Sequence, residues 1–354
     1  MDFLNGIVVI DASSVLAGPS VGSFLAELGA TVIKIENKKI GGDVTRNWHT
    51  QIEKKENISS YYASINYKKK IIQLNFDNDL NEFKNYIKEA DILISNFKTE
   101  DYSKFEIENT QLHALNSKLI HARIKGFEYN ENRVAYDVVL QAETGYMEMN
   151  GEPNGDPCKM PVALIDVLAA HQLKEGILLA LIQRSKTNKG LFVEVSLEKS
   201  ALCSLVNQAS YFLMTGKSPT RLGSKHPNIA PYGDLYLSKD NKTFVLAIGS
   251  DAQFKKFKSL FNNEKLNDLR FEENTLRVEN RDELNGILYD IFQKTSMSEL
   301  EENFLKLNIP FGKVKTLEEV FQNSKAASLI YTENMEGTET KRIQSIAFEL
   351  HQMC

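Results

Sequence analysis

The sequence predicts an α/β protein: a doubly wound parallel sheet in the first part of the chain and a smaller α/β lobe after it. Three observations carry this. Short β-branched runs alternate with helix-period segments through the first 125 residues. The strand, helix, strand spacing is that of parallel pairs joined by right-handed crossovers. Beyond a Pro/Gly/Ser stretch at 218–232, the run Phe244-Val-Leu-Ala-Ile248 alternates with helical patterns near 251–262, 280–293 and 297–307.

Taken in order, Gly6-Ile-Val-Val-Ile10 suits a buried strand, Pro19 suits the first turn of a helix, and Val21, Phe24, Leu25 and Leu28 recur at helical spacing before Gly29 stops them. Thr31-Val-Ile-Lys-Ile35, ending on Glu36, is the second strand, which makes the unit Rossmann-like. Ile71–Leu74, a charged helix over 78–89, Asp91–Asn96 and Leu119–Ile124 continue the alternation. A turn-rich segment, Asn-Gly-Glu-Pro-Asn-Gly-Asp-Pro, precedes the most apolar helix, expected from about Val167 to Arg184, with another near 196–215. The expected division is a large domain over 1–200 completed by 321–354, a linker helix and loop over 201–224, and a small domain over 225–320.

The 354 residues are 42% hydrophobic and 25% charged, ordinary values for a soluble globular protein. A net charge of −5 offers no general attraction to nucleic acid or an anionic membrane, so an anionic ligand needs a local basic cluster. Cys158, Cys203 and Cys354 form no close pair, which fits neither a disulfide framework nor a zinc site and implies a reducing compartment. The N-terminus has no basic leader, and no run approaches the roughly 20 apolar residues that span a bilayer. The expectation is a cytoplasmic chain without membrane, nucleic-acid or metal partners.

Val15-Leu-Ala-Gly-Pro-Ser-Val-Gly22 lies where the first strand ends and the first helix begins, the edge at which such sheets bind ligands. It is not G-x-G-x-x-G, so a dinucleotide reading with Glu36 on the ribose lacks the close-approach glycines. A helix start without ligand is the plainer reading. Lys38, Lys39, Arg46, Lys68 to Lys70, Lys98 and Lys104 follow strand ends or lie in nearby loops, as a phosphorylated ligand or a solvated face would each require. Asp166 opens the apolar helix as an N-cap, and the same placement keeps a half-buried carboxylate ionised and able to attack as a nucleophile. Arg133, Tyr136, Asp137 and Gln141 gather polar chemistry just before Gly145, while His171 reads as a core histidine. No H-E-x-x-H, C-x-x-C or G-x-S-x-G occurs.

Six stretches in order resemble the class III coenzyme A-transferase (CaiB/BaiF) family, which includes formyl-CoA transferases and alpha-methylacyl-CoA racemases. They are Leu16–Pro19 through Leu28–Glu36, Gly42–Arg46, Asn66–Leu74, Tyr136-Asp137 with Gln141 to Gly145, Asp166 with its helix and Lys186 to Gly190, and His226–Tyr232; Asn274–Arg281 and Asn308–Gly312 add a weaker seventh. The resemblance implies an acyl-CoA:carboxylate CoA-transferase. Asp166 would attack the thioester to give a mixed anhydride and then an aspartyl-CoA thioester, with Tyr136 and Asp137 beside it. It also implies that Val15, Leu16 and Ala17 line the coenzyme's path, that Lys38 or Lys39, Lys69, Lys104 and Arg133 meet its charged part, and that Asn96 and Phe97 flank the nucleotide. Family members are interlocked ring-like homodimers, and their partners are an acyl-CoA and a small carboxylic acid.

The alternatives implied are a 2-methylacyl-CoA racemase or epimerase and a CoA-binding homologue without turnover. Racemases carry histidine where Tyr136 stands, and a phenol, ordinarily of pKa near 10, is a poor base at neutral pH, so transfer is the expectation. Leu16 stands where formyl-CoA transferases have glutamine, and 218–232 offers only Gly223 and the following Gly233 for their glycine loop, which argues against oxalate and formate. The chain is also shorter at its C-terminal end than most relatives.

Overall fold

The computed structural model describes residues 2–53, 57–129 and 133–351. Six parallel strands form its main sheet: β1 (Val8–Ala12), β2 (Thr31–Asn37), β3 (Lys69–Leu74), β4 (Ile92–Ser95), β5 (Ile120–Lys125) and β6 (Leu191–Ser196), in the order β3-β2-β1-β4-β5-β6. The chain leaves β1 in one direction for β2 and β3 and returns on the other side for β4, so the switch point lies between β1 and β4, where the carboxyl ends open a crevice.

Strand alternation supplies two apolar faces, and each is covered. Val9, Val32, Ile92 and Ile94 pack under the Ala17–Glu27 and Leu164–Thr187 helices with Phe24, Leu25, Ile165, Leu173 and Ile177. Ile10, Ile35 and Leu93 point the other way, onto Phe83 and Ile87 of the Leu80–Lys88 helix, Tyr102 of Thr99–Lys104 and Leu112 of Asn109–Leu115. Each such fully buried large side chain contributes roughly 1.5–3 kcal/mol.

Near the carboxyl ends of β1 and β2 the face under the Ala17–Glu27 helix turns polar. Asp11 follows Val9, and Lys34 and Glu36 follow Val32, all at 3% exposure or less. The helix lies close above them because Gly18 and Gly22 have no side chain: a Cβ on Gly18 would stand 2.2 Å from Ser13 Oγ, and one on Gly22 2.9 Å from Asp11 Oδ2. These two glycines make room for protein side chains.

A second, three-stranded antiparallel sheet is built from β7 (Tyr232–Leu237), β8 (Thr243–Ala247) and β9 (Phe311–Lys313). Its own core holds Phe244, Phe254, Phe257, Leu288, Phe292 and Phe304. Last come β10 (Ile330–Met335) and β11 (Thr338–Ile343), an antiparallel hairpin whose Glu336-Gly337 turn has φ of +51° and +87°, the two-residue geometry that matches strand twist. The chain divides into two compact units, one of Met1–Tyr146, Lys159–Lys217 and Ala327–Cys354, the other of Met147–Cys158 and Ser218–Ala326. Among the described residues no helix is long and apolar enough to cross a membrane.

Candidate active site

A cavity of about 500 Å³ opens at the switch point, between the ends of β1, β2, β4 and β5. Its floor is the loop Ser13-Ser14-Val15. Val15 has φ of +72°, a left-handed conformation that costs a β-branched residue on the order of 1–3 kcal/mol and persists only where its surroundings impose it. They do. Ser13 N–H and Oγ–H donate to Asp11, and the Ser13 carbonyl accepts from Lys34 Nζ. Ser14 N–H donates to Asn96 Oδ1 at 3.0 Å while its carbonyl accepts from Asn96 Nδ2 at 2.9 Å, and Val15 N–H reaches Asp43 Oδ2 at 3.3 Å.

One wall is aromatic. Phe76, Phe97 and Phe105 line it, with Phe97 edge-on to Phe76 and Phe105 at ring separations of 5.9 and 5.3 Å. Around the rest stand Lys98, Lys104, Arg123, Lys125 and Arg133. Of the acids that also line the cavity, Glu36 is occupied by Arg46 Nε at 2.8 Å and Tyr62 OH at 2.6 Å, and Asp43 by Lys34 Nζ at 3.2 Å. Glu36 is thus engaged by side chains of its own protein, which removes it from the ribose role of a dinucleotide reading.

Tyr136, 47% exposed, closes the lining and precedes the Asp137–Glu143 helix. Asp137 then does what a local sequence reading gave to Asp166. Its Oδ1 accepts the Ile165 N–H at 2.7 Å and its Oδ2 accepts from Gln141 Nε2 at 2.6 Å, while Gln141 Oε1 takes the Met160 N–H. The Leu164–Thr187 helix starts three residues before the expected Val167, and its N-cap position, Ala163, has no side chain to cap with, so the acceptor comes from another helix.

Asp166 is therefore the third helical residue, not the cap, and it is 6% exposed. Among the described residues no hydrogen bond or ion pair reaches its carboxylate. Burial, and then the nearby Asp137 charge, push its carboxyl up to about 7. The expectation that a helix start keeps it simply ionised is corrected: the acid is poised near neutrality. The same region holds Tyr61, whose phenol is pushed up to about 12 by burial and by the charges of Asp166, Asp137 and Asp43, and which packs edge-on to Trp48 at 4.9 Å.

Of the expected residues, then, Val15, Asn96, Phe97, Lys104, Arg133 and Tyr136 meet on one cavity. Leu16 is half-buried and Ala17 is buried in the core, and neither lines it. Lys38 is exposed on the Lys38–Ile40 turn, flanked by the lining residues Asn37 and Ile40, and Lys39 pairs with Asp77. Lys69 is a correction. Its side chain is fully buried and its ammonium donates to Asp11 at 2.8 Å and to Pro19 O, Ile65 O and Asn66 Oδ1, so it has nothing left for a phosphate; burial lowers its pKa to about 8 despite Asp11. Sequence reading passed over Arg123 and Lys125, which share Glu194 at 3.2 and 3.1 Å. Their i, i+2 spacing at the end of a predicted strand was the available signal. It also passed over Tyr61 and Trp48, for which the sequence held no cue. Among the described residues no group of His, Cys, Asp and Glu is arranged to hold a metal.

The cavity, its basic rim and the buried Asp166 can be set beside known proteins. The chain is 33% identical over 328 residues to the succinate–glutarate CoA-transferase of Agrobacterium fabrum, covering 90% of this chain and 81% of that protein. It is 32% identical to the acetyl-CoA:oxalate CoA-transferase of Acetobacter aceti, covering 87% and 79%. A crystal structure of a CaiB/BaiF family protein from Brucella suis superposes with a TM-score of 0.84 at 32% identity, covering 98% of this chain and 92% of that one. The family model for CoA-transferase family III matches residues 4–352, so this chain belongs to CoA-transferase family III.

Proposed function

We propose that this enzyme moves coenzyme A between small carboxylic acids through covalent intermediates on Asp166. The observation that carries the reading is a single buried carboxyl near neutrality, at the start of a long helix and beside a second acid that is already committed to capping. A carboxylate with little water around it and a conjugate acid near 7 is a better nucleophile than an ordinary one. Its oxygen attacks the acyl-CoA carbonyl, the C–S bond breaks, and the thiolate leaves a mixed anhydride. The thiolate then attacks the aspartyl carbonyl and displaces the carboxylate, leaving an aspartyl-CoA thioester. The acceptor acid enters by the reverse steps and regenerates Asp166. Excluding water preserves the thioester, and 6% exposure serves that end.

The cavity suits the nucleotide end of the coenzyme. Its volume falls in the ordinary range for ligand sites, Phe76, Phe97 and Phe105 offer rings to an adenine, and Lys98, Lys104, Arg123, Lys125 and Arg133 offer charge to its phosphates. Lys38 stands outside the lining, in the turn between the lining residues Asn37 and Ile40. Tyr136 lines this cavity and is followed directly by Asp137, which caps the helix that carries Asp166. The named activities of the relatives favour dicarboxylates such as succinate and glutarate, and the match to an acetyl-CoA:oxalate CoA-transferase restores oxalate to the candidates.

A homodimer, interlocked as in the family, would cover the exposed Leu179, Ile182, Leu213 and Met214 of the Leu164–Thr187 and Val206–Thr215 helices. The free thiols of Cys158 and Cys203 fit the cytoplasm. The test is exchange: succinyl-CoA mixed with carbon-13 glutarate should yield labelled glutaryl-CoA, at a rate that rises as pH passes through about 7. Deuterium entry at an acyl α-carbon without exchange would instead establish epimerisation.

A further inference from the structure

We propose that Lys34 is a positioning residue for acyl-CoA: its buried ammonium, shared between the Ser13 carbonyl and the Asp43 carboxylate, holds the Ser13–Val15 loop in the shape that forms the floor of the cavity. The inference rests on the reading that this cavity takes the coenzyme. Lys34 and Asp43 have side-chain exposures of 0% and 1%, and Nζ stands 3.2 Å from Asp43 Oδ2. Lys34 itself does not line the cavity, whereas Ser13, Val15 and Asp43 do.

The two partners of Lys34 bracket the loop. Asp43 is fixed on one side by Thr45, whose N–H and Oγ–H reach Oδ1 at 3.0 and 2.8 Å, and on the other it accepts the Val15 N–H at 3.3 Å. From Ser13 N to Val15 N, every backbone donor and acceptor is then held by a side chain: Asp11, Lys34, Asn96 or Asp43. Val15 keeps its left-handed φ of +72° under that restraint. Asn96 alone holds Ser14, but only Lys34 ties the residue before it to the acid that holds the residue after it. A buried ion pair is weak evidence for a stability role, since an apolar side chain of similar volume often substitutes without loss, and its better-attested use is to fix one conformation.

The loop's competent population sets the apparent affinity for whatever it binds, so the expected signature is in affinity. Coenzyme A would be titrated calorimetrically into the full-length protein, alongside Lys34→Met, Asp43→Asn, Val15→Gly and Lys34→Met combined with Val15→Gly, with a thermal melt of each. If Lys34→Met leaves about a tenth of the molecules with the loop in place, its Kd for coenzyme A rises about tenfold. Glycine adopts left-handed φ without strain, so Val15→Gly should recover part of that loss in the Lys34→Met background and yield no gain in the wild type. A wild-type Kd in Lys34→Met, with or without a lowered melting temperature, makes Lys34 structural only and overturns the proposal. Should Lys34→Met not fold, Asp43→Asn decides: a several-fold weaker Kd supports positioning, and an unchanged one overturns it. Failure of the wild-type protein to bind coenzyme A removes the reading of the cavity and this proposal with it.

Discussion

Burial and Asp137 hold the Asp166 carboxyl near 7, far above its ordinary 3.8, so the proposed nucleophile should have opposed effects on activity and stability. The sign follows from linkage. Between about 4 and 7 the folded protein keeps a proton there that the unfolded chain has lost, so this contribution is full below the unfolded pKa and disappears as pH rises through about 7. Asp166→Asn, which cannot ionise, should abolish exchange and yet raise the melting temperature at pH 8 relative to the wild type, with little difference at pH 4. The gain is on the order of 2–4 kcal/mol at most. Equal melting temperatures at pH 8 would show that the acid is not strained by its surroundings. Family resemblance singled out Asp166 in the sequence, but its environment was not legible there, because the cap of its helix comes from Asp137, 28 residues before Ile165. Lys69 shows the same limit. A run of three lysines reads as a solvated face, and only the helices folded over β3 reveal that the middle one is enclosed.

At the scale of elements, the first five strands and the leading helices of the large sheet were legible because periods of 2 and 3.6 are local properties, whereas β6 was not expected. What packs between them was not. Asp11 and Lys34 interrupt apolar strands and looked incidental, yet together with Lys69 and Asp43 they form the buried charge cluster beneath the first helix. The charges of Lys34 and Lys69 overcome burial and bring Asp11 down to about 2. The cluster explains the glycines of the Ala17–Glu27 helix. Gly→Ala within a helix ordinarily gains roughly 0.5–1 kcal/mol, but at Gly18 the new methyl would lie 2.2 Å from Ser13 Oγ and 2.4 Å from Ser13 Cβ, which rotation of the side chain cannot relieve. Gly18→Ala should therefore destabilise by about 1–3 kcal/mol, seen as a melting temperature lower by several degrees. A higher one would mean that the helix does not press on the loop. The hairpin of β10 and β11 escaped sequence reading because its residues alternate weakly, and long-range pairs dock it: Arg46 with Glu336 and Arg342 with Glu27, and Tyr67 stacked on Tyr331 at 4.8 Å.

For the whole molecule, the order of the six strands places the β1 loop, Asn96, the aromatic wall and the basic side chains at one edge, and the long helix after Ala163 brings Asp166 into the same unit. That convergence is what the proposed coenzyme site and nucleophile require. It also fixes what has to be measured. Wild-type protein and Asp166→Ala would each be incubated with succinyl-CoA, quenched in acid and weighed intact. The account predicts a covalent acyl or coenzyme A adduct on the wild type alone. Exchange activity without any adduct, or an adduct that persists on Asp166→Ala, would contradict it.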